Sequence, residues 1–143
     1  MSASVRSAML RTGGALLVAL GALHLAVTPF IAGFIQSSTS PAAAAWLMPP
    51  MILNHVVLGI LLLPLGGLTF YAAPYAARGD RWAVVVVRTT ATSIAALPAA
   101  LFVLMGARYF AAPPFVLATA ILSGACLALL GAAFWPSSKP GAS

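Results

Sequence analysis

The chain has 143 residues, of which 62% are hydrophobic and 6% charged, with seven Lys/Arg against a single acid and a formal net charge of +6. A soluble domain carries roughly 25% charged residues, so this chain cannot cover a water-facing surface, and its mean hydropathy of +1.07 points to membrane residence. The basic excess excludes itself as a nucleic-acid patch, because the cations are scattered between apolar segments, and the lone cysteine, Cys126, excludes an intrachain disulfide or a CxxC redox pair.

Four apolar runs follow in chain order, about 10–35, 47–73, 82–107 and 113–135. Each exceeds the ~20 residues needed to cross a ~30 Å hydrocarbon core. Backbone groups in lipid must be satisfied within their own segment, so each run is expected to be a helix. The fold class expected is therefore an all-α integral membrane protein. One domain over 1–143 holds four transmembrane helices in an up-down bundle, with short flexible tails at 1–8 and 136–143.

The first run contains His24 and is too long for the apolar core of a secretory signal peptide. The second opens with Trp46 and the Pro49–Pro50 pair, read as its outer entry. It carries Asn54 and His55 and ends in Tyr71 and Tyr75. The third opens with Trp82 and ends at Tyr109; the fourth holds Cys126 and closes with Trp135. Every Trp and Tyr thus falls at a predicted span end, as amphipathic rings do at membrane interfaces.

Orientation follows from the cations. Arg6 and Arg11 precede or open the first span, Arg78, Arg81 and Arg88 surround the second loop, and Lys139 lies in the tail; the first loop, Gln36 to Ala45, has no charge and only Arg108 lies near the third. This asymmetry places both termini in the cytoplasm of a bacterial-type inner or plasma membrane. Asp80, in "ARGDRW", is expected to pair with Arg78 or Arg81.

A short internal repeat accompanies these spans. Arg11-Thr12 recurs as Arg88-Thr89, and "PPMIL" at Pro49 recurs as "PPFVL" at Pro113. The pattern would make two repeated helical hairpins of one bundle. In this alignment His24 corresponds to Leu101 and His55 to Thr119.

The histidines are the candidate site. Leu17, Gly21, His24 and Thr28 share one helical face, and His55, Gly59, Leu62 and Gly66 share another. Counting inward from the first loop puts His24 and His55 within about 3 Å of one depth, so they can face each other. The glycines either let the two helices touch or leave room for a flat cofactor. Four readings result. In the first, the rings, with Asn54, Thr28 or Thr119, pack and hydrogen-bond between helices. Bis-histidine ligation of haem b by His24 and His55, with Gly21 and Gly59 against the porphyrin, is the second. A Met48, Met51 and His55 set for copper is the third. A small transporter, with helices broken at Pro29, Pro64 or Pro98 and no embedded acid, is the fourth.

No Ser-His-acid set with an internal acid, zinc-ligand spacing or phosphate-binding loop is present in the sequence, so an enzyme is not the expected reading. With so little mass outside the bilayer, the leading expectation is an accessory or structural subunit. Its partners would be the lipid bilayer and other membrane chains, or copies of itself.

Overall fold

A computed structural model of the chain describes residues 1–106 and 113–135. These form four helices, α1 (Ala3–Ser38), α2 (Pro41–Arg78), α3 (Arg81–Met105) and α4 (Pro113–Ala133), with no strand among the described residues. All four are long and apolar enough to cross a membrane.

The first two helices outrun their apolar stretches. Residues 3–8, expected as a tail, are helical, and Ser2 caps them by accepting a hydrogen bond from Val5 N at 3.3 Å. The expected ten-residue first loop shrinks to Thr39 and Ser40. Ser40 accepts from Ala43 N and Pro41 supplies the preset φ of a first helical turn. Once a span has nucleated a helix, polar residues such as Gln36 and Ser37 extend it at little cost. At 1.5 Å per residue, α1 and α2 each exceed 50 Å, so their ends project beyond a ~30 Å core.

Helix α2 runs through Pro49, Pro50, Pro64 and Pro74 without interruption, as α1 does through Pro29 and α3 through Pro98. The double proline therefore does not mark where α2 begins; it lies well inside it. Apart from an α2–α3 turn at Gly79, which takes a left-handed φ of 92° and closes the end of α2, little irregular backbone separates the first three helices.

Helix α1 packs against α2 and α4, and α3 packs against the same two. Opposing residues along α1 and α2 are Gly14 with Gly66 and Gly21 with Gly59, so numbers rise along one helix as they fall along the other. The core is aliphatic, with Leu10, Leu17, Leu62, Val87 and Leu129 fully covered. Thr69 and Thr90, both buried, join α2 to α3 through a hydroxyl hydrogen bond of 3.1 Å.

Every described arginine gathers at one end of the bundle: Arg6 and Arg11 in the first turns of α1, Arg78 at the close of α2, Arg81 and Arg88 in the first turns of α3. The rings of Tyr71, Tyr75 and Trp82 cluster there, with centroid separations of 5.4–6.3 Å. Asp80 pairs with Arg78 at 3.6 Å. Arg108, Tyr109 and Lys139 lie outside the described residues.

The internal repeat has a structural counterpart. Arg11 lies 5.6 Å from the Phe70 ring centroid, and Arg88 lies 5.4 Å from that of Phe134. The offset that carries Arg11 to Arg88 and the one that carries Pro49 to Pro113 map the first cation–π pair onto the second.

Candidate functional site

The site is built on the α1–α2 seam. A Cβ added to Gly66 would lie 2.6 Å from Gly14 O, and one added to Gly21 would lie 2.9 Å from Gly59 O. Only glycine permits two helix backbones to approach this closely, and in hydrocarbon that close packing replaces the hydrophobic drive that assembles a soluble core. Gly14 and Gly66 repeat the Gly21–Gly59 contact seven residues away. That mirrored spacing, readable in the sequence, identifies the whole seam.

His24 and His55 sit at its outer flank, each fourteen residues from the turn between the helices. Their ring centroids are 4.6 Å apart and their planes differ by 31°. The matched depth inferred from counting is realised as direct ring contact. His24 Nδ1 lies 2.9 Å from Leu20 O. A carbonyl only accepts, so Nδ1 carries the proton, and in the neutral ring Nε2 is left as an acceptor. Thr28 in turn donates to His24 O at 2.9 Å. His55 Nε2 is buried and has no hydrogen-bond partner, a condition that buried polar atoms seldom tolerate.

Beside His24, a cavity of about 100 Å³ opens between the four helices. Its walls include Leu62, Leu97, Leu101 and Leu122, with Thr119 as a second polar group. Thr119 spends its hydroxyl on Phe115 O at 2.8 Å, so the cavity is essentially apolar. Leu101 and Thr119, the positions that the repeat aligns with the two histidines, meet His24 here.

This geometry bears on the cofactor readings. Two imidazoles on opposite sides of one haem iron, at bonds of about 2 Å, hold their ring centroids roughly 6 Å apart; these stand at 4.6 Å. Gly21 and Gly59 do not flank an open slot. They close on each other's backbones, so they are helix contacts and not a porphyrin cradle in this arrangement. For copper, Met51 turns outward while Met48 sulfur receives a 3.6 Å contact from Gln36 Nε2. Among the described residues no three His, Cys, Asp or Glu side chains converge as metal ligands.

Cys126 is buried, and its Sγ reaches Ile94 O at 3.6 Å, in keeping with a packing residue. Asn54 has left the site altogether. Although adjacent to His55 in sequence, it is exposed on the outside of α2, and its side chain makes no hydrogen bond among the described residues. No family model, curated protein or solved structure matches the chain.

Two arginines missed as anything but orientation markers also take defined places. Arg6 is buried and donates from Nε to Ala132 O at 2.9 Å, and Arg88 donates from Nε to Ala133 O at 3.3 Å. Both hold the last turn of α4. Arg6 lies before the apolar run, so nothing in the local sequence marks it as a packing residue.

Proposed function

We propose that the chain crosses the membrane up and down through its four helices and serves as a subunit of a larger membrane assembly or a homo-oligomer. Its termini and the α2–α3 turn would lie on the cytoplasmic side of a bacterial-type inner or plasma membrane. The arginine-rich end of the bundle supports this orientation.

The observation that carries the subunit reading is Asn54. It lies eight residues, or about 12 Å, along α2 from Trp46, at hydrocarbon depth, and faces outward among exposed Leu47, Met51, Val57 and Leu61. A carboxamide offers two donors and an acceptor, and lipid satisfies none of them. A neighbouring helix does, and such bonds are worth about 0.6–2 kcal/mol in membranes. The test is purification of the full chain in mild detergent with and without Asn54→Leu. The wild type should carry a second polypeptide, itself or another, and Asn54→Leu should weaken that association. A wild-type monomer with no associated chain, in both detergent and bilayers, would refute the reading.

One observation favours a second reading. The unpartnered His55 Nε2 is a free ligand atom, and haem b ligation by His24 and His55 would employ it if the two rings and the Gly21–Gly59 seam parted. A visible absorption spectrum of protein from haem-replete cells decides this: a Soret band supports it, and a colourless folded preparation removes it.

A further inference from the structure

We infer that Arg6 and Arg88 form a binding site for the phosphate of an anionic phospholipid, at the end of α4. The two guanidinium groups come from different helices and converge on consecutive carbonyls, Ala132 O and Ala133 O. Arg6 is only 7% exposed, an unusual setting for a full positive charge without a carboxylate beside it.

The charges do not balance within the chain. A helix C-terminus supplies the equivalent of about half a negative charge, against two guanidinium cations. Asp80 is the only acidic residue in the sequence, and it is engaged by Arg78. No side chain of this protein can therefore neutralise the Arg6–Arg88 pair, which leaves both cations open to an anion from outside the chain. Arg11 lies over Phe70 and Arg78 over Tyr75, whereas Arg88, which lies over Phe134, shares the end of α4 with Arg6.

The surroundings specify the anion. Exposed Phe134 and Trp135 follow the α4 terminus directly, Val5 is exposed beside Arg6, and the Tyr71–Tyr75–Trp82 cluster lies at the same end. Aromatic residues of this kind mark headgroup depth. A phosphodiester at that depth meets both guanidinium groups, while its acyl chains lie along the apolar outside of α4, where Leu127 and Leu130 are exposed. Basic pockets between helices on the cytoplasmic side take anionic headgroups by the same physics. The site depends on membrane residence but not on the chain being a subunit.

The test measures lipid retention by native mass spectrometry on the full chain, offered equal amounts of phosphatidylglycerol and phosphatidylcholine. The wild type should retain phosphatidylglycerol preferentially. Arg88→Gln, at an exposed position, should cut that preference about fivefold, the worth of one arginine at a membrane surface. Arg6→Lys, which keeps the charge but loses the Nε bond, should fall between them, and Arg81→Gln should match the wild type. Equal retention of the two lipids by the wild type would overturn the site, as would equal losses in Arg88→Gln and Arg81→Gln. Displacement of phosphatidylglycerol by the same concentration of inorganic phosphate would overturn its assignment to lipid and make it a site for free phosphate.

Discussion

The rings of His24 and His55 lie 4.6 Å apart, in contact across the α1–α2 seam, while the hydrogen bond of His24 Nδ1 stays within α1, to Leu20 O. His55 contributes ring packing and a buried nitrogen without a partner. Burying such an atom costs about 1–3 kcal/mol. Replacing it with an aromatic ring of apolar character should remove that cost. We expect His55→Phe to leave thermal unfolding in detergent unchanged or to stabilise the protein by about 1 kcal/mol. Destabilisation by several kcal/mol would mean that Nε2 has an external partner, such as a metal or an ordered water.

The glycine seam gives a sharper contrast. Gly66→Ala would push a Cβ to 2.6 Å from Gly14 O, a backbone atom that cannot yield without separating the helices, whereas Gly67 has open space where its Cβ would be. Gly66→Ala should destabilise by about 1–3 kcal/mol through overpacking. Gly67→Ala should be neutral or gain roughly 0.5–1 kcal/mol from reduced backbone entropy. Equilibrium unfolding in mixed detergent micelles measures both; equal effects would contradict the seam.

The Thr69–Thr90 hydrogen bond is the buried polar link from α2 to α3. A double-mutant cycle with Thr69→Val and Thr90→Val should return a coupling of about 0.6 kcal/mol, the membrane average for such bonds. Thr69 also donates toward Leu65 O at 2.8 Å, so its hydroxyl retains an acceptor when Thr90 is changed. A coupling near zero would show that this intrahelical bond, not the link to Thr90, holds the hydroxyl.

Cys126 offers a reporter of unfolding that needs no engineering. It is the chain's sole thiol, 7% exposed and covered by α3. A maleimide should fail to modify it in the folded protein and react once the bundle opens. Rapid labelling under native conditions would mean that α3 and α4 separate far more readily than their packing implies.

Much of the fold was legible because the bilayer imposes it. Hydrocarbon thickness fixes the length of a span, and unpaired backbone groups forbid anything but helix within it. The shared faces were legible too: Leu17 and Gly21 on α1, and Gly59, Leu62 and Gly66 on α2, are all buried. Helix boundaries were less so. Hydropathy registers where side chains are apolar, whereas α1 and α2 persist through polar residues and through Pro49–Pro50.

The sequence by itself determined four apolar helices, the common depth of His24 and His55, and the scarcity of acids that leaves Asp80 alone among seven cations. These follow from composition and from a fixed rise per residue. Only the tertiary structure decided that Gly21 and Gly59 close on each other, that Asn54 looks away from the bundle, that His55 Nε2 is left unpaired, and that Arg6 reaches a carbonyl 126 positions along the chain. Each depends on how a helix is rotated about its axis and how closely it approaches a distant neighbour. Those quantities are set by the fit of small and large side chains between helices, and no local stretch of sequence contains them.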